Sequence, residues 1–165
     1  EFRRVLFRSV AIDLSATRRR LAETLGATAT IDPADASVWA ELSRLHGTAK
    51  VQFGTTPATS AYIEATGSSK MLARIVDRAG RGSTICVVAL HYEPVPINFL
   101  SVLMQELTIR GSIEYPARFG DAIELLSRRD FSPLITHRFG LADIASALEL
   151  LSSSKECGKV MIEMT

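Results

Sequence analysis

The sequence has little of what staples, anchors or arms a protein. Its two cysteines, Cys86 and Cys157, stand 71 positions apart. They make no CxxC pair, no disulfide framework and no structural zinc site, and read as two reduced thiols. The longest apolar run is Ile85–Leu90, too short to cross a bilayer. No P-loop, HExxH or GxSxG occurs, and His46, His91 and His137 show no metal-ligand spacing, so each reads as a surface or structural histidine. Gly80-Arg81-Gly82 imitates the start of a GxGxxG loop, but Ile85 holds the sixth position and the segment enters a strand instead of leaving one. It reads as a turn. What remains is 165 residues, 47% hydrophobic and 22% charged, enough for one domain with a sizeable core and unlike a disordered tail.

The formal net charge of +1 leans on the first nine residues. Glu1-Phe2-Arg3-Arg4-Val5-Leu6-Phe7-Arg8-Ser9 resembles the in-frame translation of a common sequencing adapter, and residues 1–9 are read as a non-native scar. A targeting peptide is the rival, but Arg8 cuts the apolar stretch to Val5–Phe7, far short of a signal core. The nine residues hold three Arg and one Glu, a contribution of +2, so the other 156 carry −1. A nucleic-acid partner then loses its compositional support. The native sequence is expected to start abruptly at Val10, as the C-terminal part of a longer protein.

From Val10 onward, strands and helices alternate. Val10–Asp13 reads as a buried strand, Thr17–Leu25 as a helix and Ala29–Ile31 as a brief strand stopped by Asp32-Pro33. Val38, Leu42 and Leu45 mark a helix with Asp35 or Ser37 as possible caps. A polar, Thr-rich loop is expected over Gly47–Ser60, then a strand at Ala61–Ala65. Leu72, Ile75, Val76 and Ala79 share one helical face. Ser83–Leu90 is the most β-rich segment, Phe99–Met104 reads as a short helix and Leu107–Ile113 as a strand. Two amphipathic helices follow, one carrying Phe119, Ala122, Ile123 and Leu126, the other Leu141, Ile144, Ala145, Leu148 and Leu151. Gly158 launches a last strand, Lys159–Glu163. Such alternation implies parallel βαβ units, and solid apolar strands imply a sheet covered on both faces. The fold expected is a doubly wound, mostly parallel α/β sheet.

Asp13 is the most informative residue. It stands at the carboxyl tip of a parallel strand, where open α/β sheets bind ligands. An acid there accepts hydrogen bonds from the ribose hydroxyls of a dinucleotide and repels a 2′-phosphate; alternatively it caps the helix that follows. Arg18 lies at the start of that helix. The glycine loop that precedes such an acid by about twenty residues has no room here, because only twelve residues come before Asp13. Other strand tips are Glu64-Ala65-Thr66-Gly67, Val88-Ala89-Leu90-His91 and Gly111-Ser112-Ile113. Small residues there let backbone approach a flat ring, although core packing explains Val88 and Leu90 equally well.

Several segments together carry a family resemblance: Asp13-Leu14-Ser15-Ala16-Thr17-Arg18-Arg19, Ala22…Leu25-Gly26-Ala27, Glu64-Ala65-Thr66-Gly67, Glu106-Leu107-Thr108-Ile109-Arg110-Gly111-Ser112, Ser132-Pro133-Leu134-Ile135-Thr136-His137-Arg138-Phe139 and Gly158-Lys159-Val160-Met161. In this order the run 10–165 resembles the C-terminal portion of medium-chain, zinc-type alcohol dehydrogenases of the polyol, butanediol and threonine dehydrogenase kind. The resemblance implies a partial NAD-binding Rossmann-type domain, its first strand and glycine-rich loop missing, followed by C-terminal helices and a strand. It implies that Asp13 binds the adenosine ribose, Arg18 the adenosine side, and that Thr66 lines the nicotinamide pocket. Val88, Ala89 and Leu90 would offer backbone to the nicotinamide carboxamide, with Ser112 and Ile113 flanking the ring. Alanine at 89, where relatives show glycine nearby, and the long stretch up to Ser60 depart from the family pattern.

The family oxidises an alcohol by hydride transfer to NAD⁺, with a catalytic zinc whose ligands lie in an upstream domain. This chain is accordingly expected to hold cofactor-binding residues but no catalytic and no metal-binding ones. Alone it should be inactive, marginally stable, and a weak NAD⁺ binder or none. The parent is expected to be cytoplasmic, a homo-oligomer acting on a small alcohol, with no nucleic-acid or membrane partner. Two alternatives stand: the zinc-free, NADPH-dependent quinone or enoyl reductase branch, which Asp13 disfavours, and a non-catalytic, ligand-sensing Rossmann module.

Overall fold

The computed structural model describes residues 8–34, 37–52, 54–114 and 118–164. In chain order the elements are β1 (Val10–Ile12), α1 (Ala16–Thr24), β2 (Ala29–Ile31), α2 (Val38–His46), β3 (Thr48–Val51), β4 (Gly54–Pro57), β5 (Ala61–Glu64), α3 (Ser69–Arg78), β6 (Thr84–Val87), α4 (Phe99–Met104), β7 (Thr108–Gly111), α5 (Phe119–Arg128), β8 (Ile135–Gly140), α6 (Ile144–Ser153) and β9 (Lys159–Glu163). They form two compact units, Glu1–Val38 with Gly120–Thr165, and Trp39–Phe119.

In the first unit β1 and β2 pair in parallel, Val10 opposite Ala29 and Ile12 opposite Ile31, with α1 as the crossover that a parallel pair requires. Ser9 extends this pairing, its carbonyl accepting from Thr28 N at 2.8 Å. Val5–Phe7 and Asp35 lie outside the described residues. A second parallel pair joins β8 and β9, from Ile135 opposite Lys159 to Gly140 opposite Glu163. Ile31, Ala147 and Cys157 are buried. Gly158 allows the close approach at the start of β9. A Cβ there would stand 2.5 Å from the Leu134 carbonyl oxygen and 2.9 Å from Leu21 Cδ1, so only glycine fits. The strand β8 was not foreseen from sequence, because its one-sided mix Ile-Thr-His-Arg-Phe-Gly hides the period-2 signal.

The second unit is a βαβαβ run. β5, β6 and β7 pair in parallel with aligned registers, Ala61–Thr84–Thr108 to Glu64–Val87–Gly111, and α3 and α4 make the crossovers. The α3 face expected from spacing, Leu72, Ile75, Val76 and Ala79, is buried together with Ile85, Tyr62 and Leu42. Ser68 caps α3, accepting from Met71 N.

The α/β architecture of mostly parallel strands agrees with the sequence; three details do not. Gly47–Ser60 is not a loop: β3 and β4 form an antiparallel hairpin, Thr48 opposite Pro57 and Val51 opposite Gly54, favoured by β-branched Val and by Thr, which is β-branched although polar. The strand in Ser83–Leu90 stops at Val87. The sheet of the second unit is also not covered on both faces. Along β5, Tyr62 and Glu64 are buried while Ile63 stands 74% exposed. The stripes Phe119, Ile123, Leu126 on α5 and Leu141, Ile144, Leu148, Leu151 at α6 are exposed as well; on α6 it is Ala147 that is buried. Among the described residues β1 pairs only with β2 and β5 only with β6, leaving each one unpaired edge.

Candidate functional site

Residues singled out from the sequence fall at strand ends in both units. In the first unit the chain leaves β1 at Asp13, whose N–H still reaches Ile31 O. Its Oδ1 accepts from Ser15 N at 2.8 Å, which curls the loop toward α1. Ser15, not Asp13, caps that helix: its buried Oγ accepts from Arg18 N at 3.1 Å. The Asp13 side chain therefore remains at the lip, 35% exposed, with Arg18 Nη1 3.9 Å from Oδ2. A carboxylate can accept about four hydrogen bonds, so this one keeps room for a diol. Arg18 is steered by a second contact, Nε donating to Cys157 O at 3.0 Å.

Two neighbours that sequence reasoning passed over complete this lip. Arg19 Nη1 donates to the carbonyls of Asp13 and Leu14, at 2.6 and 2.9 Å, and lies 2.8 Å from Asp32 Oδ2. It thereby ties the end of β1 to the end of β2. Glu156 comes from the segment before β9. Its Oε2 accepts from both Ser15 Oγ and Thr17 N, each at 3.0 Å. The Thr17 backbone bond first, then the Thr17 hydroxyl, holds the Glu156 carboxyl below the ordinary carboxylate range. The sequence carried no local signal for Glu156, which lies about 140 positions from its partners.

In the second unit, Val88, Leu90, Ser112 and Ile113 are brought together with Glu114 as the lining of an open cleft of about 460 Å³. The backbone explains why. Val88 N and Ala89 N both turn to Glu64 O, at 2.9 and 3.3 Å, while Ser112 N bonds Val87 O, so the segments after β6 and β7 diverge side by side. Thr66 does not line the cleft; it sits in the turn after β5. There Gly67 adopts φ +70°, and a Cβ at that position would meet Leu90 O at 3.0 Å. Glycine is needed both for the left-handed backbone and for this approach.

Beneath the two loops lies a buried carboxylate. Glu64, with a fully buried side chain, accepts at Oε1 from Thr66 N (2.7 Å), Thr66 Oγ1 and Gly67 N (3.1 Å). Its Oε2 meets His91 Nε2 at 2.8 Å, on an imidazole only 10% exposed. One side chain thus holds the turn carrying Thr66 and the segment that follows Val88–Leu90. Burial acts to raise the Glu64 carboxyl, but hydrogen bonds from Thr66 and His91 outweigh it and hold the group below its usual range. His91 is nearly buried, and its Nδ1 has no partner among the described residues. The inward position of Glu64 was available from the alternation Tyr62, Glu64 along β5.

Among the described residues no three His, Cys, Asp or Glu side chains gather as a metal site would need, both cysteines are free, and no helix is long and apolar enough to cross a membrane.

Residues 6–128 match the family model described as zinc-binding dehydrogenase. The chain is 27% identical over 165 residues to L-threonine 3-dehydrogenase of Deinococcus deserti, covering 98% of this chain and 46% of that protein. It is 30% identical over 158 residues to sorbitol dehydrogenase of Gallus gallus, covering 93% and 42%. A zinc-binding dehydrogenase of Sinorhizobium meliloti bound to NADP superimposes with a TM-score of 0.72 at 27% identity, over 93% of this chain and 44% of the other. The chain therefore spans less than half the length of these relatives. With three quarters of its residues matched by the family model, the chain belongs to the zinc-binding dehydrogenase family.

Proposed function

We propose that residues 10–165 are the cofactor-binding C-terminal portion of an NAD-dependent alcohol or polyol dehydrogenase. Bound NAD⁺ would supply a hydride acceptor for a secondary alcohol; this chain's residues bind and orient. Asp13 takes the adenosine ribose diol and Arg18 lies against the adenosine. Backbone of Val88, Ala89 and Leu90, and Ser112 with Ile113, serve the nicotinamide end, with Thr66 in the turn beside them. The observation that carries this reading is the Asp13 carboxylate at the end of a parallel strand, part exposed and with acceptor positions to spare. It fits a ribose, whose two hydroxyls need an acceptor at such a strand end.

The zinc of the parent finds no matching donor set among the described residues. Catalysis, the metal and the alcohol pocket belong to the rest of the parent protein. The exposed stripes on α5 and α6 and the bare face at Ile63 support that reading, since apolar areas of this extent mark surfaces that other protein covers. The exposed edge strand β7 supports a homo-oligomeric parent, in which a second copy extends the sheet. We place the parent in the cytoplasm, as a small-molecule enzyme without nucleic-acid or membrane partners.

The test is a titration of ¹⁵N-labelled chain with NAD⁺ and with 5′-AMP, followed by amide chemical shifts, which register millimolar binding. Expected are saturable shifts over residues 13–18 with both ligands, lost in Asp13→Asn for the ribose-bearing end. Shifts that spare residues 13–18, or that persist unchanged in Asp13→Asn, sink the assignment.

A further inference from the structure

One related structure carries NADP, so rejection of a 2′-phosphate is not a property of the fold and has to be built by side chains. We propose that Glu156 is a second specificity residue, acting beside Asp13, that closes this site to 2′-phosphorylated nucleotides. The inference rests on the adenosine site assigned above and adds to it a residue from the far end of the chain.

The contacts run in one short chain. Asp13, the diol acceptor, is one hydrogen bond from Ser15 N. Ser15 Oγ is one hydrogen bond from Glu156 Oε2, and the same oxygen takes Thr17 N. A phosphate ester on the ribose 2′-oxygen would enter beside this loop and would need three things there: hydroxyl donors, open N–H groups at the helix start, and a cation. Most of these are already committed, Arg20 among them, which bonds Thr17 Oγ1 at 3.0 Å and faces the Glu156 carboxylate. The Ser15 hydroxyl and the Thr17 amide both point to Glu156. The Arg18 guanidinium is drawn to Cys157 O, with Asp13 on its other side. Glu156 thus occupies the donors an incoming phosphate would use and sets a second negative charge beside that of Asp13. A diol loses nothing by this, since it needs only the acceptor on Asp13. The α1 start is accordingly a closed anion position, stoppered by the protein's own carboxylate.

Glu156 binds through Ser15 and Thr17 and leaves Asp13 untouched, so the two carboxylates divide the work: one accepts the sugar, the other denies its phosphate.

The experiment compares 5′-AMP with 2′,5′-ADP on the full chain by the same amide-shift titration, for the unsubstituted protein, Glu156→Gln and Asp13→Ser. Expected is preference for 5′-AMP in the unsubstituted protein, and a ratio of the two dissociation constants that narrows about fivefold to tenfold in Glu156→Gln, as removal of one nearby unit charge predicts. Glutamine keeps the size and an acceptor oxygen, and Glu156→Ala, which frees both donors, should narrow the ratio further. The effect should shrink at 0.5 M salt, because the charge is exposed and screened. If 5′-AMP binds but the ratio stays within twofold in both Glu156 variants while Asp13→Ser shifts it, the role of Glu156 is overturned and the cofactor reading stands. If shifts appear but spare residues 13–18 in the unsubstituted protein, the cofactor reading itself falls and this inference with it.

Discussion

Removing the Glu64 carboxylate should destabilise the second unit more than any other single polar change in it. The side chain is fully buried and is met by Thr66 N, Thr66 Oγ1, Gly67 N and His91 Nε2. In Glu64→Ala the Thr66 groups regain water, since Thr66 is exposed. Gly67 N is half-buried and the imidazole is 10% exposed, so these two donors lose their acceptor without replacement, at about 1–2 kcal/mol each. With the cavity added, the expected loss is about 3 kcal/mol. Glu64→Gln keeps an oxygen for Thr66 and Gly67 but turns an NH₂ toward His91, and should lose about 1–2 kcal/mol. The chain's one tryptophan, Trp39, lies in the same unit, so its fluorescence follows urea unfolding there. With a slope of about 2 kcal/mol/M, the midpoint should fall by about 1.5 M in Glu64→Ala and by less than 1 M in Glu64→Gln. A midpoint within about 0.3 M of the unsubstituted protein in Glu64→Ala would refute the idea that this carboxylate holds the two loops together.

Because the Glu64 carboxyl is held below its ordinary value of 4.5, it contributes stability that is present above that pH. The contribution disappears as pH falls through the lower folded value. The drop in urea midpoint between pH 7 and pH 3 should therefore be smaller in Glu64→Gln than in the unsubstituted chain, and an equal drop would show that Glu64 is not paired as described. Gly158→Ala forces a Cβ to within 2.5 Å of Leu134 O, so β8 and β9 must separate, at about 3 kcal/mol; faster amide exchange at Val160 and Ile162 is the readout, and unchanged protection would contradict the packing. Arg19→Ala removes the ties to the Asp13 and Leu14 carbonyls and to Asp32. It should weaken 5′-AMP binding severalfold while leaving the amide shifts of β8 and β9 in place, and undiminished binding would show that Arg19 does not hold the loop.

The strand–helix rhythm was legible because it is written in local chemistry. Short apolar strands and the α3 stripe Leu72, Ile75, Val76 depend on spacing within one turn or one pleat. Asp13 stood out for the same reason: its importance is its position at the end of a strand. The hairpin β3–β4 is readable in principle, but its threonines mimic the polarity of a loop. The exposure of Leu148 or Ile63 was not readable, since a stripe records that a face is apolar and not that anything in this chain covers it.

Sequence alone therefore determined most of the elements, the parallel sense of the βαβ units and the identity of the acid poised at the end of β1, since each follows from side chains a few positions apart. Only the tertiary structure decided that Ser15 rather than Asp13 caps α1, that Glu64 gathers two loops from beneath, and that Glu156 reaches the start of α1. Those roles come from hydrogen bonds closed between segments distant in sequence or from choices among competing caps, and no local pattern encodes which donor a carboxylate will meet once the chain has folded.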